Sequence, residues 1–254
     1  MATSVLLLLD LDGTLLDHDG SERAAITSWL DDEGWPTDVG GVSVADAWHD
    51  ITEQAFDDHR RGLLSFQGQR RQRVSRLLAL VVGGDGPDDA TADALFERYR
   101  ARYEAAWHPF PDVADTIPAL AQRHRVAVLS NGELAEKRAK VARIGVSAQV
   151  EAVLASSDLG AAKPDPRTFL RAAARLGVAP EDVVHVGDRL DLDARAPQAV
   201  GMRGVWLDRP GLGPDPDDVT RITSLRDLPG LLASGWTGAG GSGQASGRSG
   251  GVRS

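Results

Sequence analysis

The residues best suited to chemistry are two aspartates, Asp10 and Asp12, which follow an apolar run at residues 5–9. A short apolar run that ends at acidic residues and glycine indicates a buried strand with carboxylates at its C-terminal end. Ligands bind at that end of parallel α/β sheets. Two carboxylates so close together need a cation or a proton between them, and Gly13 lets backbone N–H groups approach an anion. From this segment alone, an acidic turn after a strand is an equally good interpretation.

Three further polar segments follow along the chain, and together with the first they match a known pattern. They are Ser130-Asn131-Gly132, Lys163-Pro164-Asp165, and Gly187-Asp188 followed by Asp191 and Asp193. With the segment VLLLLDLDGTL, they resemble the four motifs of the haloacid dehalogenase-like superfamily, in the DxDGT form found in its phosphatases. The resemblance runs from about Val5 to Asp208 and is loose between residues 17 and 108.

The resemblance implies catalytic roles for three residues. Asp10 would attack a phosphoryl group and carry it as an aspartyl-phosphate. Asp12 would protonate the leaving oxygen and then activate water, and the dehalogenases that name the superfamily lack this second aspartate. Lys163 would place a compact positive charge between the nucleophile and the phosphate.

Lysine is rare in this chain, which makes Lys163 informative. The chain has three lysines, Lys137, Lys140 and Lys163, so 25 of its 28 lysine and arginine residues are arginines. The usual surface cation is therefore arginine, and a lysine indicates a place where a planar guanidinium does not fit.

The other motif residues are predicted to bind substrate phosphate and a metal ion. The predicted phosphate ligands, acting through hydrogen bonds, are Gly13, Thr14, Ser130, Asn131 and Gly132. Asp10, the backbone carbonyl of Asp12, and Asp188 would hold Mg²⁺, which prefers oxygen ligands.

The acidic residues after Asp188 are predicted to support this site without binding the ion. Asp193 aligns best with a family carboxylate that orients the lysine or the water around the metal, and Asp191 is its rival. Arg189 replaces the small hydroxyl residue more usual after Asp188, so the hydrogen bond of that hydroxyl is not expected here.

Composition narrows the classes of protein further. The chain has 254 residues and a net charge of −9, which argues against a general nucleic-acid binder. It has no cysteine, so disulfides, thiolate metal sites and cysteine nucleophiles are excluded. The first apolar run lacks a preceding basic region and is soon broken by aspartate, so neither a secretory signal nor a membrane span is expected. We predict a cytoplasmic protein with no nucleic-acid, membrane or evident protein partner.

The elements that must position these residues follow two patterns. A helical bundle inserted after the first strand is predicted from four helical stretches, which begin near Ser21, Ser43, Phe66 and Asp88. Ser21 is the predicted N-cap of the first of them. In the resembling family a mobile cap occupies this place. From about residue 109, helix and strand signals alternate, and one of the predicted helices lies at 193–200. The alternation predicts a Rossmann-like, doubly wound parallel sheet with helices on both faces. The predicted fold class is thus α/β with an inserted α-helical cap.

The predicted domains are a catalytic core at 1–16 and 109–233, a helical cap at 17–108, and a disordered Gly/Ser-rich tail at 234–254. Basic and aromatic cap residues could contact an anionic substrate, although most such arginines lie on solvated helix faces; they are Trp48, His49, Arg60, Arg61, Arg70, Arg71 and Arg73.

The predicted function is Mg²⁺-dependent hydrolysis of a small phosphorylated metabolite through an aspartyl-phosphate. Two alternatives stay open, a phosphosugar mutase of the same family and a non-catalytic module that binds a phosphorylated ligand. The substrate is open among phosphoglycolate, nucleoside monophosphates and sugar phosphates, because specificity depends on the cap. The oligomeric state is open as well.

Overall fold

The computed structural model describes residues 5–213 and 215–234. The chain divides into two compact units. The first unit comprises Met1–Asp10, Asp115–Leu134 and Gln149–Ser254, and the second comprises Leu11–Ala114 and Ala135–Ala148. The second unit thus includes 135–148, a stretch predicted to lie in the core. The boundaries of core and cap, at 16/17 and 108/109, remain predictions. The predicted tail lies outside the described residues except for Ser234.

The strands and helices of the described residues are numbered in chain order. The strands are β1 (Leu6–Leu9), β2 (Asp38–Val39), β3 (Val42–Ser43), β4 (Arg125–Ser130), β5 (Ala152–Ala155), β6 (Val183–Gly187), β7 (Arg203–Leu207) and β8 (Thr220–Ile222). The α-helices are α1 (His18–Glu33), α2 (Val44–Arg60), α3 (Phe66–Val81), α4 (Asp89–Ala106), α5 (Val113–Ala121), α6 (Leu134–Arg143), α7 (Ser156–Leu159), α8 (Pro166–Leu176), α9 (Ala196–Gln198) and α10 (Leu228–Ala233).

The six strands of the first unit form one parallel sheet in the order β5-β4-β1-β6-β7-β8. Without the two short strands of the second unit, this is the order 3-2-1-4-5-6 of Rossmann-like folds, whose winding reverses at the first strand. β1 is paired on both sides, with Leu8 opposite Ala127 on β4 and His185 on β6. Its four leucines are buried, as expected for a strand covered on both faces. The predicted doubly wound sheet is confirmed.

The helices of the second unit pack around an aromatic centre. Trp29 of α1, Trp48 of α2 and Tyr99 of α4 are buried, and their ring centroids lie 4.6 to 5.9 Å apart. Val74 and Leu77 of α3 complete this apolar cluster. The four predicted helical stretches are therefore present, and their spacing of apolar residues is explained by this shared core.

The first helix begins earlier than predicted. Asp17 is its N-cap, because the Asp17 carboxylate accepts a hydrogen bond of 2.9 Å from the N–H of Gly20. Ser21, the predicted cap, is buried inside the helix, and its hydroxyl donates to the carbonyl of Asp17. The predicted cap was therefore wrong by one helical turn.

Other short elements also differ from the prediction. The helix predicted at 193–200 begins as a π-helical turn at Leu190–Arg195 and continues as α9. The hairpin of β2 and β3 was not predicted, because two-residue strands give no alternating pattern; Gly40 and Gly41 form its turn with φ of 64° and 85°. Among the described residues, no helix is both long enough and apolar enough to span a bilayer.

Candidate active site

Three neighbouring strands of the first unit end where the motif residues begin. β4, β1 and β6 lie side by side, and Ser130, Asp10 and Asp188 stand at or just beyond their carboxyl ends. The N–H of Asp10 donates to the carbonyl of Val186 at 2.9 Å, which extends the ladder between β1 and β6. Parallel strands therefore place these side chains at the edge of the sheet where ligands bind.

Lys163 links two carboxylates of the first unit. Its Nζ donates to Oδ1 of Asp10 at 2.5 Å and to Oδ1 of Asp193 at 2.6 Å. The side chains of Lys163, Asp10 and Asp193 are 4%, 8% and 1% exposed. An ammonium group needs such partners when it is withdrawn from water, because its desolvation is costly. Lys163, one of only three lysines in the chain, thus forms an ion pair with the predicted nucleophile.

Asn131 holds the backbone of Lys163. Its side-chain Nδ2 donates to the carbonyl of Lys163 at 2.9 Å, and its Oδ1 accepts from the N–H of Lys163 at 2.8 Å. Gly132 donates its N–H to Oγ of Ser156 at 2.8 Å, and Ser130 is buried at the end of β4. The predicted contacts of Ser130, Asn131 and Gly132 with phosphate stay predictions.

Asp193 is bound from three directions. Besides the Lys163 ammonium on Oδ1, the N–H of Arg189 donates to its Oδ2 at 3.1 Å. Nε2 of the fully buried His185 lies 3.3 Å from Oδ1. These contacts fix the carboxylate so that it can hold Lys163 against Asp10.

The π-helical turn after β6 determines which acidic residue reaches the cluster. The turn returns Asp193 to Gly187, so closely that a Cβ at Gly187 would lie 2.4 Å from Cγ of Asp193. Only glycine fits there. The rival, Asp191, is exposed and pairs with Arg195 at 2.9 Å. The geometry therefore favours Asp193 as the residue that orients Lys163.

Burial and crowding shift the pKa values of these carboxyl groups. Burial raises the pKa of Asp10 to about 8; the charge of Lys163 opposes this rise, and the charges of Asp193 and Asp188 add to it. Burial and the charge of Asp193 raise the pKa of Asp188 to about 6. Burial acts in the same sense on Asp193, but Lys163 and the hydrogen bond with His185 hold its pKa below the usual range.

The acidic cluster suits a hard divalent cation, with Asp10 and Asp188 as predicted ligands and Asp193 beside them. Oxygen atoms of Asp10, Asp188 and Asp193 lie within 4.8 Å of one another. Three negative charges and the one positive charge of Lys163 leave a net charge of −2 when all are ionised. A divalent ion would balance that charge, and Mg²⁺ takes oxygen ligands. The residues present therefore fit the predicted metal.

Asp12 lies in the second unit, where two lysines of α6 bind its carboxylate. Nζ of Lys137 donates to Oδ2 and Nζ of Lys140 donates to Oδ1, each at 2.7 Å. Burial acts to raise the pKa of Asp12, but the charges of Lys137 and Lys140 hold it well below its usual range. Asp12 is therefore a carboxylate in this arrangement.

Gly13 and Thr14 form the turn that follows Asp12. Gly13 has a φ of 81°, in the left-handed region that favours glycine, and its N–H donates to the carbonyl of Leu16 at 2.9 Å. Thr14 is buried, and its N–H donates to the carbonyl of Leu11. The predicted contacts of Gly13 and Thr14 with phosphate stay predictions.

Part of the predicted basic cluster of the cap is engaged in packing between helices. Arg73 of α3 is buried 3.6 Å from Glu22 of α1, with its guanidinium 4.7 Å from the ring of buried Trp48. Arg71 pairs with Asp93 of α4 at 2.6 Å. These side chains therefore stabilise the helical unit.

Comparison with known proteins identifies the family. The model of the haloacid dehalogenase-like hydrolases matches residues 6–201, most of the chain. The chain belongs to the haloacid dehalogenase-like hydrolases. Curated relatives of this hydrolase are named as phosphatases. The phosphoserine phosphatase of Thermus thermophilus is 31% identical, over 88% of this chain and 97% of the relative. The chain is thus a hydrolase of the phosphatase type.

Solved structures of haloacid dehalogenase-like proteins share the fold. The putative hydrolase YfnB of Bacillus subtilis, described as bound to magnesium, is 22% identical with a TM-score of 0.75, over 90% of this chain and 98% of that chain. The 2-haloacid dehalogenase of Pseudomonas syringae pv. Tomato DC3000 is 29% identical with a TM-score of 0.64, over 92% and 100%. The same fold therefore occurs both in a protein named as a HAD-hydrolase and in a 2-haloacid dehalogenase.

Three residues of this haloacid dehalogenase-like hydrolase contact predicted site residues of their own unit and were not themselves predicted from the sequence. Lys137 and Lys140 were counted as rare lysines without a role, although their spacing of three places both on one face of a helix. His185 is a histidine inside an apolar strand, VVHVG, and contacts Asp193. A buried polar residue needs a partner, and that rule is the signal that could have found it.

Proposed function

We propose that this phosphatase hydrolyses a phosphomonoester of a small metabolite with Mg²⁺, through an aspartyl-phosphate on Asp10. The observation that carries the proposal is the buried contact between Lys163 and Asp10, within a cluster whose net charge a divalent cation balances. This cluster would provide a carboxylate nucleophile, a fixed ammonium group and oxygen ligands for a metal ion at the carboxyl edge of one sheet.

In the first step a carboxylate oxygen of Asp10 attacks phosphorus, and the bond from phosphorus to the leaving oxygen breaks as the new bond forms. Lys163 holds Asp10 in place and offsets negative charge. Asp12 gives a proton to the leaving oxygen. In the second step a water molecule attacks phosphorus and gives its proton to Asp12, which frees phosphate and restores Asp10. Mg²⁺, when bound, offsets the charge of the phosphoryl oxygens.

The ion pairs of Asp12 bear on these two steps differently. With Lys137 and Lys140 on its oxygens, Asp12 is ionised and ready to accept the proton of the second step. For the first step it must hold a proton. The negative charge of an approaching phosphate opposes the two lysines and raises the pKa of Asp12, so the substrate itself favours the acid form.

The proposal is tested by a panel of phosphorylated metabolites with purified protein and Mg²⁺. The names of the relatives, which include phosphatases of phosphoserine and glyceraldehyde 3-phosphate, direct the choice of phosphoamino acids and sugar phosphates, beside phosphoglycolate and nucleoside monophosphates. We expect release of inorganic phosphate that stops on chelation of the metal. Tight binding of one compound without release from any would favour the binding module. Transfer of phosphate between positions of a sugar, without net release, would favour the mutase.

Mg²⁺ is expected to bind more tightly as the pH rises from about 5 to 8, because Asp188 and Asp10 must lose their protons to bind it. In the metal-free protein their raised pKa values mean that the folded state holds more protons than the unfolded state. Their contribution to stability therefore falls as the pH rises from about 4 to 8. The increase in Tm that Mg²⁺ causes should grow over the same range, as thermal unfolding with and without the ion will show.

Asp188→Ala is the control for this pH dependence. It removes one predicted ligand, so most of the Mg²⁺-induced increase in Tm should disappear and turnover should fall severely, while the metal-free protein stays folded. An increase in Tm of equal size at pH 5.5 and pH 8.5 in the unmodified protein would contradict the predicted metal site.

Asn131→Ala is expected to lower kcat about 10- to 100-fold with little change in KM, because it frees the backbone that carries Lys163 and a displacement of about 1 Å can cost that much in rate. Steady-state kinetics on p-nitrophenyl phosphate will measure both constants. Asn131→Asp keeps the oxygen that accepts the N–H of Lys163, so its kcat should lie between those of Asn131→Ala and the unmodified protein. A raised KM at unchanged kcat would instead show that Asn131 acts by binding substrate.

A further inference from the structure

The two lysines of α6 converge on a single carboxylate in the second unit. Lys137 and Lys140 are buried, stand three residues apart on one face of the helix, and bind one oxygen each of Asp12 at 2.7 Å. One ammonium group would neutralise the charge of Asp12. The second ammonium group also orients the carboxylate, because donors on both oxygens fix its plane as well as its position.

Further side chains of the second unit hold Lys140. Oε1 of Glu136 lies 3.0 Å from its Nζ, and Oη of Tyr103 lies 3.1 Å from it. The rings of Tyr103 and Trp107 lie 5.2 and 5.4 Å from Nζ, which is within the range of cation–π attraction. Oη of Tyr103 is also 2.6 Å from Nδ1 of His18. A chain of polar contacts thus runs from Asp12 through α6 and α4 to the start of α1.

We infer that Lys137 and Lys140 are positioning residues that aim the carboxylate of Asp12 at the reacting oxygen, and that Tyr103 and His18 brace Lys140 in turn. This inference rests on the proposed function, since it takes Asp12 as the acid and base. A carboxylate on a short side chain can rotate, and proton transfer requires a defined approach to the oxygen that gains or loses the proton. Fixing that approach in advance raises the rate without adding contacts to the substrate.

A purely structural role for the lysines makes a different prediction. The two ammonium groups balance the carboxylates of Asp12 and Glu136, so the cluster could simply join α6 to the rest of its unit. In that case removing a lysine would lower stability and reduce the turnover of every substrate alike. A positioning role lowers the rate most where protonation of the leaving group matters most.

The test compares Lys137→Met and Lys140→Met with Arg138→Met, which removes an exposed cation from the same helix. Each variant is assayed with Mg²⁺ on an alkyl phosphate and on p-nitrophenyl phosphate. For Lys140→Met we expect kcat on the alkyl phosphate to fall about 10²-fold. The fast release of nitrophenol, which needs little protonation, should fall about tenfold or less, and KM should change little. Arg138→Met should match the unmodified protein.

A double-mutant cycle with Asp12→Asn decides between positioning and structure. If Lys140 acts through Asp12, Lys140→Met should have no further effect on nitrophenol release once Asp12 is asparagine. Losses that multiply in the double variant would overturn the inference. Tyr103→Phe keeps the ring and removes only the hydroxyl, so it should give a smaller loss with the same preference for the alkyl substrate. If a lysine variant fails to fold, Tyr103→Phe distinguishes a positioning role from a purely structural one.

The two proposals fail in distinguishable ways. If the unmodified protein releases neither phosphate nor nitrophenol from any compound, the proposed function is wrong and the inference falls with it. If the unmodified protein is active but the lysine variants behave as Arg138→Met does, or lose both substrates equally, the inference alone is wrong.

Discussion

Asp10→Asn is expected to lower the rate of hydrolysis of every phosphomonoester about 10⁴-fold or more, because no other residue can form the aspartyl-phosphate in its place. The same change should leave the metal-free protein at least as stable as before. Burial raises the pKa of Asp10 to about 8, so the fold disfavours its charge at neutral pH, and a neutral amide of the same shape relieves that cost. Phosphate release and thermal unfolding measure the two effects on one sample.

Asp191→Asn is the matched control for this experiment. It makes the same chemical change in the fourth motif, at a side chain that is exposed and paired with Arg195. We expect its activity to stay within about twofold of the unmodified protein, as for most surface changes. Substantial hydrolysis by Asp10→Asn, or an equal loss in both variants, would contradict the assignment of the nucleophile.

Asp12→Asn should separate the two steps of the reaction. On an alkyl phosphate, whose leaving group needs a proton, we expect a loss of about 10²- to 10⁴-fold. p-Nitrophenyl phosphate leaves as a stabilised phenolate, so its first step should survive better, while the second step still lacks its base. The variant should release about one equivalent of nitrophenol per protein and then stall with phosphate on Asp10. Rapid mixing will show the burst, and intact-protein mass will show the phosphoryl group.

The double variant Asp10→Asn, Asp12→Asn is the control, and should show neither the burst nor the added mass. Stability should also move in opposite directions for the two single variants. Asp12→Asn leaves Lys137 and Lys140 with no negative charge on that side, and breaking a buried ion pair from one partner is destabilising. Equal losses on alkyl and aryl substrates, without a phosphoenzyme, would mean that Asp12 is not the acid and base.

The fold was predictable where one segment carried its own signal. The leucines of β1 indicated a buried strand, which the structure confirms, and the apolar spacing of α2, α3 and α4 predicted their positions within a residue or two. The errors occurred where local patterns compete or are too short. Asp17 and Ser21 are both good N-caps, and the contact that selects Asp17, with the N–H of Gly20, is invisible in a list of propensities.

The site was predictable as a set of residues and much less so as a set of contacts. Asp10, Lys163 and Asp193 were found from motifs, and they meet as the sheet order requires. Asp193 was preferred over Asp191 by its alignment with the motif, but the physical reason for that preference, a π-helical turn, is not visible in the sequence. The clamp of Asn131 on Lys163 joins residues far apart in the chain, and such contacts depend on tertiary structure that residue types alone do not encode.

The burial of the lysines makes amine chemistry a selective probe of this protein. The side chains of Lys137, Lys140 and Lys163 are only 7%, 2% and 4% exposed, and each ammonium group is held in an ion pair. Acylating reagents must reach the amine nitrogen, and these three groups are buried against carboxylates, whereas exposed arginines such as Arg138 are left alone by such reagents. Any lysine that becomes labelled therefore reports the opening of an aspartate cluster, and the rate of labelling measures how often each one opens.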